Sequence, residues 1–178
     1  VRSVILRDKN LAGMLVMDDL LAACKADAPA LSPDVTQGCR VLAGWDRTSN
    51  SDASGAPLFR EFWRKAKDLP KVWRVPFDAA RPVGTPAGLD MATPATRDAV
   101  FKSLGDAVGI VRAAGYPIDV PLAKVQARVV QGQVVAIPGG AEFEGVLNKA
   151  EAIGQPTLTA RGYKINYGSS YIQAVTFD

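Results

Sequence analysis

The apolar residues of this chain change their spacing about two thirds of the way along. Up to residue 115 they recur mostly at helical intervals, and from residue 116 short β-branched runs alternate with glycine and proline turns. A chain that places helices first and strands afterwards favours an α+β fold. We therefore predict a mainly helical subdomain over residues 1–115 and a β-rich segment over residues 116–178.

Four helices are predicted in the first part. Ser32, Pro33 and Asp34 form a typical helix start, with a capping hydroxyl, a proline at the first helical position and an acid in the first turn. Gly115 is expected to close the last helix. The predicted ranges are Met14–Ala26, Ser32 to about Ala43, Pro57–Leu69 and Thr93 to about Ala114.

The third predicted helix has a wide aromatic face with charged residues opposite. Such a face could meet a ligand, but a side of this composition is more often an anchor to the core, which is our interpretation. The residues on it are Leu58, Phe59, Phe62, Trp63, Ala66 and Leu69.

The second part predicts strands. Ala127–Val130 and Val134–Ile137 flank a tight turn at Gln131-Gly132-Gln133, which is typical of a hairpin. A further strand pair is expected within residues 162–178. Its last run, Tyr171–Phe177, is apolar on both faces, as in an inner strand covered on two sides.

The chain contains no histidine, so a histidine-based triad, acid/base or metal site is excluded within it. Val1 offers no side-chain nucleophile. Asp18 and Asp19 point about 100° apart on a helix and cannot form a catalytic pair; a capping role or an ion pair is expected for them.

Two loops are candidate ligand sites. Asp46, Asn50 and Asp52 could offer oxygens to calcium, but the EF-hand spacing is absent. The amides of Pro138-Gly139-Gly140 could hold an anion, yet the lysine and Ser/Thr of a phosphate loop are missing, so a sharp turn is expected. Ser169 and Ser170 lack a nucleophile elbow. We assign no catalytic, cofactor-binding or metal-binding residue.

The net charge of +3 is spread along the chain without a basic run, which argues against nucleic-acid binding. No stretch reaches the 18 apolar residues of a membrane span. Cys24 and Cys39 lie in two neighbouring predicted helices. From spacing alone they are either a disulfide across a helical hairpin or two buried thiols.

Five stretches together resemble the penicillin acylase family, in the branch of aculeacin A acylase and the acyl-homoserine lactone acylases. In order, they are Asp19–Cys24, Cys39 followed by LAGWDR, GAPLFREFW, the IPGG element before GVLN, and YGSSYIQAVTFD. The resemblance implies part of the β subunit of an N-terminal nucleophile hydrolase with an αββα core, in which residues 116–178 join the sheets.

Several further expectations follow from this resemblance. The nucleophile is the N-terminal serine of the β subunit, its own α-amino group is the base, and an asparagine with backbone amides holds the oxyanion; all lie outside this chain. The partners are the α subunit, the rest of the β subunit and a small acyl amide substrate. No cofactor is expected in this segment, although calcium is possible in the parent protein.

The resemblance also favours a disulfide between Cys24 and Cys39 and a periplasmic or secreted location. Two alternatives remain open at this point. One is penicillin or cephalosporin acylase specificity, and the other is a stand-alone binding or structural module without catalysis.

Overall fold

The computed structural model describes residues 7–170, and their elements confirm the predicted α+β class. The α-helices in this range are α1 Leu11–Ala26, α2 Pro33–Ala43, α3 Ala56–Ala66, α4 Pro94–Ala113 and α5 Leu122–Val125. The strands form antiparallel pairs: β1 Trp73–Val75 with β2 Ala87–Leu89, β3 Ala127–Val130 with β4 Gln133–Ala136, and β5 Ala150–Glu151 with β6 Tyr167–Gly168. Short 3₁₀ turns cover Ala28–Ala30 and Glu142–Glu144.

The helix boundaries follow local capping chemistry. The Ser32 hydroxyl accepts a hydrogen bond from the Val35 amide, as predicted for the start of α2. Gly115, at φ 84°, follows α4 and confirms the predicted stop. Helix α1 begins three residues before the prediction because the Asn10 side chain accepts from the Gly13 amide.

Helix α3 lies in the middle of the core, between α2, α4 and α5. Its aromatic face is buried from Leu58 to Ala66 and half-buried at Leu69, which confirms the core interpretation. Charged residues lie opposite this face, as predicted, and Lys65 among them is exposed, but Arg60 is only 3% exposed and Glu61 is 0% exposed. The helix is therefore enclosed on nearly every side and ends at Ala66, earlier than the predicted Leu69.

Aromatic rings extend from α3 to the surrounding elements. The Trp45 and Phe59 ring centroids are 4.5 Å apart in a stacked pair, and Trp63 meets Trp73 edge-on at 5.2 Å. Helix α1 approaches this group through Gly13, where an added Cβ would lie 2.7 Å from the Trp45 ring. The glycine thus sets how closely α1 and the Trp45 loop pack.

Helices α1 and α2 are antiparallel neighbours joined by a disulfide. Cys24 and Cys39 have Cα atoms 6.1 Å apart and are separated by 15 positions in sequence. The bond joins the last turn of α1 to the middle of α2.

The β3–β4 hairpin turns at Gln131 and Gly132, which have φ angles of 49° and 78°. Two consecutive positive φ values are typical of the tight turn predicted here. Strand β4 is one residue earlier than predicted.

The predicted strand pair within residues 162–178 lies partly outside the described residues and stays a prediction. Strand β6 pairs with β5, so its partner lies upstream of residue 161, and a partner so distant in sequence leaves no local signal. The expected inner strand Tyr171–Phe177 lies outside the described residues.

One hydrophobic core includes residues from both sides of position 115. Val120, Leu122, Val125, Leu158 and Tyr163 pack with the helices of the first part. The boundary between residues 1–115 and 116–178 stays a prediction.

Candidate functional site

The most unusual feature of the core is a group of buried polar side chains around α3, which we call the Arg60 cluster. Charged side chains are rarely buried this fully unless they are paired. The cluster consists of Asn10, Arg60, Glu61, Gln126, Glu144 and Tyr163.

Arg60 is the centre of this cluster. Its Nε donates to Glu144 at 2.7 Å, its Nη1 donates to the Gln126 side chain, and its Nη2 donates to the Gly139 carbonyl at 3.1 Å. The guanidinium carbon lies 4.8 Å from the centre of the Tyr163 ring. Planar recognition of this kind suits arginine, which is weakly hydrated and presents its donors in a fixed fork.

Glu144 receives donors from three parts of the chain. Besides Arg60, the Asn10 side-chain amide donates to it at 3.0 Å and the Ala141 backbone amide donates at 2.6 Å. Since Asn10 also caps α1, this carboxylate connects the start of the first helix to the 3₁₀ turn at residue 144.

Glu61 connects α3 to the end of the described chain. One of its oxygens accepts from the Leu158 amide at 3.0 Å and from the Tyr163 hydroxyl at 2.9 Å. The other accepts from Arg64 at 2.5 Å. The carboxylates of Glu61 and Glu144 are thus paired with the guanidinium groups of Arg64 and Arg60, so the negative and positive charges balance.

The environment fixes the protonation states. Burial disfavours the charge on Arg60, but the attraction of Glu144 prevails and raises its pKa above the ordinary value. Burial, reinforced by the negative charge of Glu61, raises the pKa of Tyr163 well above its usual range. Tyr163 is therefore a neutral donor, and Arg60 stays cationic.

A pocket of about 280 Å³ opens beside the cluster, with Arg60 and Tyr163 among its lining residues. It is smaller than most sites for drug-sized ligands. The rest of its wall is largely apolar, with Glu151 as its one further charged residue, and comes from Ala141, Phe143, Ala150, Glu151, Ala152, Ile153, Gly154 and Pro156.

The arrangement offers structural support rather than reaction chemistry. Each buried carboxylate already accepts from a guanidinium group and from a backbone amide. The Ser49 hydroxyl reaches the cluster only as an acceptor, at 3.5 Å from the Asn10 side-chain amide, and none of the six residues of the cluster is a cysteine. Within residues 7–170, no group of three His, Cys, Asp or Glu side chains is placed to hold a metal ion.

The aspartates singled out from the sequence have ordinary partners. Asp18 pairs with Arg47 at 2.5 Å, and Asp19 pairs with Arg74 at 2.7 Å, as expected for separate ion pairs. Asp46, weighed as a calcium ligand, accepts instead from the Thr48 amide and hydroxyl.

The glycine turn and the serine run also have structural roles. The Gly139 amide donates to the Ser49 carbonyl and the Gly140 amide donates to the Asn148 carbonyl, so neither is directed at an anion. The Ser169 hydroxyl accepts from the Lys149 amide. These contacts agree with the expected turn.

Sequence reasoning missed the Arg60 cluster. Arg60 and Glu61 occupy the positions that a simple amphipathic pattern assigns to solvent, and their partners Gln126, Glu144 and Tyr163 lie 66 to 102 positions away. Contacts between residues so far apart in sequence leave no pattern in the residues next to either partner.

A search against family models finds Penicillin amidase over residues 1–178. Among curated relatives, the acyl-homoserine lactone acylase PvdQ of Pseudomonas fluorescens strain Pf-5 is 34% identical over 169 residues, which cover 94% of this chain and 21% of that protein. The PvdQ proteins of Pseudomonas syringae pv. syringae and Pseudomonas putida are 30% and 29% identical; each match covers 92% of this chain, and 21% and 20% of those proteins respectively.

The chain therefore spans about a fifth of the length of the curated relatives it matches. The family match covers every residue of the chain. This chain belongs to the penicillin amidase family.

Proposed function

We propose that this chain is a non-catalytic part of the β subunit of an N-acyl amidohydrolase. The observation that carries the proposal is the family match over residues 1–178, together with relatives named acyl-homoserine lactone acylases. The Arg60 cluster supports the scaffold role, because its charges are used to join chain segments.

The parent protein would hydrolyse the amide of an N-acyl-homoserine lactone or a similar lipid-like amide. The serine Oγ, outside this chain, attacks the amide carbonyl while the α-amino group of the same serine takes its proton. The C–N bond breaks, the amine leaves with that proton, and water then hydrolyses the acyl ester to a carboxylic acid. Removal of its acyl chain would abolish the activity of such a lactone as a signal.

The proposed partners are the α subunit and the remainder of the β subunit, produced from one precursor. We also propose a periplasmic or secreted location, which the Cys24–Cys39 disulfide supports because such bonds persist in oxidising compartments. Within residues 7–170, no helix combines the length and hydrophobicity that a membrane crossing requires. Calcium in the parent protein stays a prediction.

The test uses the parent protein purified from its natural host. Intact mass and N-terminal sequencing should give two chains, the larger beginning with serine and containing this segment. A long-chain N-acyl-homoserine lactone should then be converted to homoserine lactone and a fatty acid, quantified by mass spectrometry. Penicillin G, assayed in parallel, should be hydrolysed more slowly.

Two controls complete this test. Replacement of the N-terminal serine by alanine in the mature enzyme should abolish turnover, and the isolated 178-residue chain should show none. Turnover by the isolated chain would disprove the non-catalytic role. A single native chain that hydrolyses no acyl amide would disprove the amidohydrolase.

A further inference from the structure

The β3–β4 hairpin has two chemically different faces. Directly paired residues of an antiparallel ladder point to the same side, and alternate pairs share a face. One face therefore carries Val129 opposite Val134 and Ala127 opposite Ala136, and the other carries Arg128, Val130, Gln133 and Val135. The first face contains only apolar side chains, and we call it the valine face.

The valine face is open to solvent. Val129 is 66% exposed and Val134 is 74% exposed, although β-branched apolar residues are normally among the most buried. A two-stranded hairpin is at best marginally stable in water unless a further layer covers one side. A contiguous exposed apolar surface of this kind usually marks an interaction site.

Among residues 7–170, the hydrogen bonds that join the hairpin to the body of the structure lie near its base. The Ile137 amide donates to the Gln126 carbonyl, and Gln126 belongs to the Arg60 cluster. The base is thereby held in a fixed position while the valines extend away from the core. A fixed base with an uncovered apolar face fits a pre-formed docking surface.

We propose that the valine face is covered, in the parent protein, by an apolar helix or strand from the portion of the same polypeptide that lies outside this chain. This inference rests on the proposed function, since that portion is the rest of the hydrolase. About four fifths of the length of the relatives lies outside the match. The parent protein would therefore have enough further chain to form the helix or strand that covers the valine face.

Only the valine face of the hairpin is suited to burial. The opposite face carries Arg128 and Gln133 between its valines, and a charged guanidinium without a partner is costly to bury. That face stays in contact with water. Val134 and Val130 therefore make a matched pair, since both are exposed valines of the same hairpin and lie on opposite faces.

The experiment measures cysteine accessibility in the folded parent protein. Val134→Cys and Val130→Cys variants are treated with a maleimide, and the labelling rate of each is read by mass spectrometry against the unsubstituted protein. Val134→Cys should react at least about tenfold more slowly than Val130→Cys. The uncovered hairpin gives the reverse order, since Val134 is 74% exposed and Val130 only 50%.

Equal rates at the two positions, fast or slow, would overturn the proposal, because it assigns cover to one face only. Protection of Val134→Cys that disappears on dilution would also overturn it, since the cover would then be a second copy. Acylase turnover, measured on the unsubstituted parent, separates the two ideas: protection without turnover defeats only the proposed function, and turnover without protection defeats only the docking surface.

Discussion

At the scale of single residues, two buried groups differ in how their polarity is satisfied. Arg60 meets a carboxylate, an amide and a carbonyl, whereas Asp8 has a carboxylate oxygen, Oδ1, with no hydrogen-bond partner among residues 7–170. The first should stabilise the fold strongly through its partners, and the second should oppose folding when it is charged.

Replacement of Arg60 by methionine should lower the free energy of unfolding by about 3 to 5 kcal/mol, because Glu144 would remain buried without its counter-ion. Urea denaturation of the purified protein measures this loss. Adding Glu144→Gln to the variant should restore part of it, since no unpaired charge then remains.

The matched control is Arg112→Met. Arg112 pairs with Asp34 at the surface, with about half of both side chains exposed, so this change should be close to neutral. An Arg60 variant as stable as the Arg112 variant would contradict the structural role of the cluster.

Asp8 predicts a pH dependence. Burial raises the pKa of its carboxyl above the ordinary 3.8, and a contact with the Asn148 side chain only partly opposes this shift. A raised carboxyl pKa means that the group favours the folded state while protonated, below about pH 4, and that this contribution is lost as the pH rises through the folded pKa.

Asp8→Asn should therefore stabilise the protein near neutral pH, by on the order of 1 kcal/mol, and the gain should vanish as the pH falls below about 4. Asparagine also tolerates the positive φ of 42° at this position. Thermal unfolding at a series of pH values measures the effect. A constant difference between variant and wild type across that range would contradict it.

At the scale of elements, the predictable features are those with local causes. Ser32 with Pro33, Gly115 and the Gln131-Gly132 turn each act within a few residues, so α2, the end of α4 and the β3–β4 hairpin could be predicted from the sequence. The β5–β6 pairing could not, because nothing near Tyr167 indicates that its partner is Glu151. The burial of Arg60 could not be predicted either, because its partners Gln126 and Glu144 are distant in sequence.

Helix α1 provides a test of close packing. Gly13→Ala should destabilise the protein by about 1 to 3 kcal/mol, because the new methyl group would lie 2.7 Å from the buried Trp45 ring. Gly109→Ala on the exposed side of α4 is the control: nothing lies within 4 Å of its added Cβ, so it should gain about 0.5 to 1 kcal/mol from helix propensity. Chemical denaturation gives both changes in the free energy of unfolding. If the two variants changed stability in the same direction, close packing at Gly13 would not be the cause.

The α1–α2 hairpin should depend on its disulfide. Replacing Cys24 and Cys39 together by alanine should cost about 3 kcal/mol, as expected for a cross-link that closes a loop of 15 positions. Adding a reductant should lower the midpoint of thermal unfolding of the wild type to a similar extent and leave the double variant unchanged. A wild-type midpoint insensitive to complete reduction would contradict this prediction.

At the scale of the whole molecule, the Arg60 cluster and the shared core join residues on both sides of position 115. Amides of α3 and the Tyr163 amide, which donates to the Val125 carbonyl, should therefore exchange with solvent through the same opening and with the same free energy. Native-state hydrogen exchange measures both. A lower opening free energy over residues 116–170 would instead support two independently stable units, as the predicted boundary at residue 115 implies.

The cluster also has a consequence for the order of events during synthesis. Arg60 leaves the ribosome 84 residues before Glu144, and Asn10 leaves 134 residues before it. At about 5 to 20 residues per second, Glu144 is synthesised some 4 to 17 seconds after Arg60. During that interval the aromatic face of α3 can pack, but the Arg60 guanidinium has no carboxylate to pair with. The core around α3 should therefore form completely only after the 3₁₀ turn that contains Glu144 has been synthesised.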